Sequence, residues 1–464
     1  MGITKNTSGP ESKVLTTIEN GECLTYVNYH FDFRLAIMSN ETTTLERLLS
    51  PIIPMLENNP YSRKCESLPD DDWVKLGIRR AIGESNSGRS FLQMITACGE
   101  KTIWTSHYFD ALKSSRRLDH LKYLNNTLIG SEAAWKDCED PIAAQCPELD
   151  DFNIQIGDGH HHKAPVHEVK VGGKVYSTQH FYAKSLRNGL LWHLTLAEYG
   201  DTRKKEHDMR ALKRQNIEVL RAGSGKGIKT LWLWDRACID FAQWHQWKMK
   251  GIYFLTMEKE LNQFKVLSKH DVDTEDPINA GVIKDEKVES ASKQMVLRRV
   301  TYRCPDTGKR YSFLTNLPKT IRPGVVAFLY KCRWGIEKDY NTFKHKFGEQ
   351  RAWAVSPEAK EAQANFICLT HNLALILNRK VEREASEAEL SPNHSAREKK
   401  KKRVNDLEEK CLKKKIPVST LLLIPTRLAE MPKKFIIWLR ESIRIPCSWS
   451  LAINRLELCC ARKY

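Results

Sequence analysis

Apolar and polar positions change their period along the chain in discrete blocks, and each block predicts one element. Phe152-Asn-Ile-Gln-Ile-Gly-Asp158 alternates strictly, so Phe152, Ile154, Ile156 and Asp158 share one face of a strand that ends at Asp158, where Gly159 allows a sharp exit. Thr230-Leu-Trp-Leu-Trp234 is an unbroken run closed by Asp235, the pattern of a strand covered on both faces in the middle of an α/β sheet. Gly251 to Met257 reads as another such strand, and Gly172 to Leu196 as two strands around a turn at Leu186–Gly189. Helical spacing recurs over Lys205–Arg221, Phe241–Met249, Phe328–Phe347 and Glu361–Leu377. The order is strand, strand, strand, helix, strand, helix, strand.

Before this block, residues 41–145 read as a small helical domain. Thr43-x-x-Glu46 forms a capping box, and Asp70-Asp-Asp72 opens a second helix with acids at its positive end. Residues 1–40 give no clear pattern. Between Met257 and Phe328 lies a β-rich insertion, residues 258–320. It holds a hairpin of Gln294–Arg303, the turn Cys304–Gly308 and Lys309–Leu317. Past residue 380 the composition becomes charged: 381–415 is a linker or solvated helix carrying Lys399-Lys-Lys-Lys-Arg403. The segment 416–464 regains apolar residues suited to packing or assembly.

Charge narrows the partner. Seventy-four Lys and Arg against 57 Asp and Glu leave a net +17, which suits a polyanion such as DNA. Thirteen cysteines without a C-x2-C pair argue for reduced thiols. No run reaches membrane-spanning length, and the start has no apolar leader, so a cytoplasmic, nucleoid-associated location is expected. His160-His-His162 and His167 do not complete a zinc-ligand set, and are read as touching DNA phosphate or solvent.

The chemistry gathers in Phe328–Phe347. Tyr330, Arg333, Glu337 and Lys344 are offset by 3, 7 and 14 residues, so on one helix they fall within an arc of ~60°. A carboxylate among cations suits a metal ion held close to phosphate. The spacing Y-x2-R-x3-E-x6-K resembles the signature of bacterial DDE transposases of the insertion-sequence-four type, and Asp235-Arg-Ala resembles that family's second-aspartate segment, usually Asp-Arg-Gly.

That resemblance implies a ribonuclease H-like mixed α/β sheet with flanking helices over residues 150–380. It implies Asp158, Asp235 and Glu337 as catalytic metal ligands for Mg²⁺, with Mn²⁺ as a substitute ion. Tyr330, Arg333 and Lys344 would contact DNA phosphate. The implied reaction is strand cleavage at transposon ends and strand transfer into target DNA, by a homodimer on paired ends. An end-binding protein without catalysis and a metal-dependent nuclease on the same fold are the alternatives. An aromatic of the insertion, Phe264, Tyr302, Tyr311 or Phe313, is a further DNA-contact candidate.

Overall fold

The computed structural model describes residues 42–461 except 84–86, 99–101, 139, 141, 144, 171–172, 199–205, 260–262, 291–294, 334, 348, 385–390, 393 and 424–431. The segment 1–40 therefore lies outside the described residues. From Thr42 onward the chain forms one unit.

Six helices come first: α1 Thr44–Leu49, α2 Ile53–Glu57, α3 Asp70–Ile82, α4 Gly88–Ala97, α5 Thr105–Lys113 and α6 Ser115–Gly130. The capping box at α1 is formed, with both the Thr43 side chain and the Glu46 side chain engaged. The acids at the start of α3 find a more specific use. Asp70 is buried and takes two hydrogen bonds from Arg116, at 2.7 and 2.8 Å, tying α3 to α6.

The strands follow: β1 Phe152–His162, β2 Thr178–Ser185, β3 Leu191–Leu196, then α7 Asp208–Lys213, α8 Ile217–Leu220, β4 Lys229–Leu233, α9 Phe241–Lys248 and β5 Ile252–Met257. The insertion adds β6 Phe264–His270, β7 Val282–Ser290, β8 Val296–Arg303 and β9 Arg310–Thr315. All nine belong to one sheet in the order β3-β2-β1-β4-β5-β9-β8-β7-β6. β1, β4 and β5 are parallel, and every other pairing is antiparallel. The hairpin expected near the end of the insertion is β8–β9, and β9 pairs with β5, so the insertion extends the main sheet rather than standing apart.

The remaining helices are α10 Pro323–Cys332, α11 Gly335–Lys346, α12 Pro357–Glu384, α13 His394–Lys414, α14 Thr420–Leu423, α15 Lys433–Arg444 and α16 Trp449–Ala461. The 28-residue α12 packs against β3, α3 and α6 and joins the sheet to the N-terminal helices. Asn372 on α12 accepts from the Leu191 N–H and donates to the Leu191 C=O, both at 2.8 Å. The amide thus satisfies backbone groups of an edge strand that would otherwise lack partners. The charged stretch after α12 contains the 21-residue α13 with its basic run.

Three expectations are corrected. Asp158 does not end its strand: β1 continues to His162, because Gly159–His162 keep pairing with Phe181–Thr178 of β2. The helix expected over Lys205–Arg221 is two short helices, α7 and α8, each capped by its own side chain, His207 and Asn216. The single helix over Phe328–Phe347 is broken at Arg333. The hydrogen bonds there, Arg333 N to Tyr330 O at 3.2 Å and Ile336 N to Arg333 O at 3.3 Å, span three residues rather than four, so α10 ends and α11 restarts at Gly335.

Gly157 illustrates how closely β1 and β4 sit. A Cβ there would lie 1.8 Å from the Trp234 ring, which itself stacks on Trp232 at 4.6 Å. Gly157→Val is expected to destabilise the protein by about 1–3 kcal/mol or more, because the indole has no free space to enter. Denaturant unfolding followed by tryptophan fluorescence measures it; an unchanged midpoint would contradict this packing.

Candidate active site

Strand register sets two aspartates side by side. Ile156 of β1 is level with Leu233 of β4 in parallel pairing. Two residues further along stand Asp158, inside β1 but past its pairing with β4, and Asp235, just beyond the end of β4, where open α/β sheets present groups to ligands. Asp235 begins a turn: its Oδ1 accepts from the Ala237 N–H at 2.7 Å, and its carbonyl accepts from the Thr256 hydroxyl at 2.7 Å. Ala237 makes this turn without a glycine.

Arg333 bridges to the helix side. Its guanidinium lies 3.5 Å from an Asp158 oxygen and 3.3 Å from a Glu337 oxygen. The side chains differ in exposure: Arg333 7 %, Asp158 20 %, Glu337 41 %. Burial pushes the Asp158 carboxyl up to about 6; Arg333 pulls against this, while Asp235 and Asp208 add to it. Glu337 stands in the first turn of α11, at the helix's positive end.

The helix break redistributes the other predicted residues. Tyr330 belongs to α10, is buried against Phe313 at 4.9 Å, and its ring lies under Arg333 at 5.8 Å. Lys344 is exposed on α11, two turns (about 10 Å) beyond Glu337. Arg333 therefore touches Tyr330, Asp158 and Glu337 together, while Lys344 stands apart from them further along α11.

Two ties hold α11 to the sheet. The Tyr340 hydroxyl donates to the Asp158 carbonyl at 2.8 Å, and Lys184 of β2 reaches Asp339 at 2.5 Å with both groups buried. Two of the histidines expected at the surface are instead part of this support. His160 and His162 are buried; His160 stacks on Tyr340 at 4.6 Å and lies 3.3 Å from Glu349. His162 stacks on His180 at 5.1 Å, and His180 meets His193 at 3.0 Å. Their rings fill the space between β1, β2 and α11 and lie away from solvent. His167 is exposed.

Sequence reasoning missed Asp208 and Cys238. A side-chain oxygen of Asp208 lies 3.4 Å from the Cβ position of Gly159, so Asp208 sits beside Asp158. Among the described residues, the group whose potential ligand atoms all lie within 4.8 Å of one another is Asp208, Asp235 and Cys238, not the trio Asp158, Asp235 and Glu337. Cys238, three residues after Asp235, was visible; Asp208, fifty residues after Asp158, had no local signal.

A cleft of about 850 Å³ opens from Asp235 and Arg333 between the β8–β9 hairpin, α10 and α13. Tyr302, Tyr311, Phe313 and Tyr330 supply aromatic surface; Arg236, Lys331 and Arg403 supply positive charge, and Lys410 is paired with Asp306. Three of the four aromatic candidates of the insertion line it; Phe264 does not.

No known family model matches the chain, and no curated protein matches it. Among solved structures, a piggyBac transposase synaptic complex with hairpin DNA matches at 11% identity over 91% of this chain and 80% of that one, with a TM-score of 0.33. Overlap at that level does not establish a common fold. Among the described residues, no helix is long and apolar enough to cross a membrane.

Proposed function

We propose that the chain is a DNA-strand transferase of the DDE class, a transposase of the insertion-sequence-four type with a ribonuclease H-like core. The observation that carries this reading is the pair Asp158 and Asp235, each two residues past the last paired residues of parallel β1 and β4, with Arg333 linking Asp158 to Glu337. The strand order β3-β2-β1-β4-β5, with the first three antiparallel and the last three parallel, supports the fold assignment.

By donor chemistry the set suits a hard dication, although its oxygens do not all lie within 4.8 Å of one another. Asp158, Asp235 and Glu337 offer carboxylate oxygens, and the raised pKa of Asp158 reports a burial and crowding of acids that a cation would relieve. Asp158, Asp235 and Glu337 would hold Mg²⁺ or Mn²⁺, which when bound supplies charge stabilisation at phosphorus and acidifies an attacking hydroxyl. Arg333, almost fully buried between Asp158 and Glu337, would turn its guanidinium to a phosphate oxygen. Tyr330 and the aromatic wall hold the strand from the side, and Lys344 meets the backbone further along α11. Tyr340 fixes α11, and with it Glu337, against β1. The partner is DNA, as element ends and as target, and the working form is a dimer on paired ends.

The test uses purified protein, Mg²⁺ and duplexes carrying any inverted repeats that sequencing finds on either side of the coding region. Cleavage at the repeat tips followed by joining of the freed 3′-hydroxyl to a target plasmid is expected. Cutting without joining would favour a nuclease, and binding without cutting a silent end-binding protein. Arg333→Ala should weaken end binding and lower the slope of log affinity against log salt by about one. An unchanged slope would remove Arg333 from the phosphate contacts.

A further inference from the structure

We infer that Asp208, Asp235 and Cys238 form a cation site of mixed oxygen and sulfur donors, suited to a thiophilic dication such as Zn²⁺, Cd²⁺ or Co²⁺. Three elements bring the donors together. Asp208 opens α7, Asp235 follows β4, and Cys238 closes the turn that Asp235 begins, its N–H 3.3 Å from the Asp235 carbonyl. Their ligand atoms lie within 4.8 Å of one another. Tetrahedral zinc with bonds of about 2.0–2.3 Å would set them roughly 3.3–3.8 Å apart, a contraction of at most about 1–1.5 Å.

The thiol marks the site as more than a pair of neighbouring acids. Cys238 is 1 % exposed, its sulfur faces both carboxylates, and among the described residues the thiol makes no hydrogen bond. Cys238 packs in the apolar core, and its sulfur also lies within 4.8 Å of two carboxylates whose mutual repulsion a bound cation would relieve. Asp208 and Asp235 are half-buried, which leaves an entry path from solvent. Three protein donors with a fourth position open is a common geometry for an exchangeable zinc. Binding replaces the S–H bond by an S–metal bond and releases the proton to solvent. A thiolate also changes selectivity, since sulfur favours zinc-like ions over Mg²⁺. The site shares Asp235 with the proposed catalytic set but does not depend on that reading.

Anaerobic titration of the full-length chain with Co²⁺ alone, in a phosphine reductant and without DNA, tests the site. A sulfur-to-cobalt charge-transfer band in the near ultraviolet is expected to saturate at one ion per chain. Cys238→Ser should abolish the band and weaken Zn²⁺ binding by at least about tenfold, since losing a direct ligand exceeds the loss of an outer-shell partner. Asp208→Asn, half-exposed and with the thiol intact, should weaken cobalt binding by a similar factor. Glu337→Gln should keep the band. Absence of the band in the parent, its survival in Cys238→Ser, undiminished affinity in Asp208→Asn, or its loss in Glu337→Gln would each overturn the assignment. None of these readouts involves DNA cleavage, so failure of the transposase reading would leave the cobalt result standing, and the reverse.

Discussion

Asp158→Asn, Asp235→Asn and Glu337→Gln are each expected to lower Mg²⁺-dependent DNA cleavage by at least ~10²–10³-fold, the scale on which removing one electrostatic stabiliser of a transition state acts. Each exchange keeps the side chain's size and removes only its charge, so binding of end DNA without metal should persist or tighten, because one anion fewer faces the phosphates. Glu337→Gln is the cleanest of the three. Its carboxylate is 41 % exposed, and its pairing with Arg333 is worth at most about 1 kcal/mol, so the fold should be little affected. Asp158→Asn disturbs more, because the carboxylate is largely buried beside Arg333, and loss of that charge removes one of the anions that offset the buried guanidinium. Cleavage assays with gel-shift binding and thermal melts on the three variants separate the effects. Normal cleavage by Glu337→Gln would reduce α11 to a structural helix and end the proposed catalytic set.

The elements that carry these carboxylates were legible because their burial is two-sided. Leu231, Trp232 and Leu233 are all buried, so β4 had to be an unbroken apolar run, and an acid at its end stands out. β1 was legible from its alternation, Phe152, Ile154 and Ile156 on one face, up to Asp158 and illegible beyond it. Histidine counts as polar in any periodicity, yet His160 and His162 are buried because they stack on Tyr340 and His180, residues 180 and 18 positions away. The break at Arg333 was hidden for a different reason. A helix interrupted by a tighter turn keeps nearly the same apolar spacing, so Leu329, Ile336, Tyr340 and Phe343 still read as one stripe. Asp208 could not be found at all, because only the crossover from β3 to β4 brings it beside Gly159. Local pattern reports what an element buries; it does not report which distant side chains share the space.

The buried histidines make acid the condition to which the fold should be most sensitive. Burial pushes His162 and His193 down to about 4 and His371 down to about 3, and His180 well below the ordinary 6.5. In the unfolded chain these rings take up protons as the pH falls through 6.5, while in the folded protein they stay neutral until about 4. The unfolded state then binds more protons, so stability is full above about pH 6.5 and is lost progressively toward pH 4. A fall from 6.5 to about 4 corresponds to about 3 kcal/mol for each of His162 and His193 once the pH reaches 4. Two such groups together rival the roughly 5–15 kcal/mol of a typical domain. Glu349 reinforces the trend: burial opposes its charge, but His160 and Tyr182 hold the carboxylate below its usual range, a contribution lost at still lower pH. Urea midpoints measured from pH 7.5 to 4 should therefore drop steeply below pH 6.5, and the protein should unfold before pH 4. His162→Phe keeps a stacked ring against His180 without a titrating nitrogen, so its acid limb should be visibly shallower. A midpoint flat between pH 6.5 and 4.5, or the same slope in His162→Phe, would mean that these rings are already hydrated or charged in the folded protein.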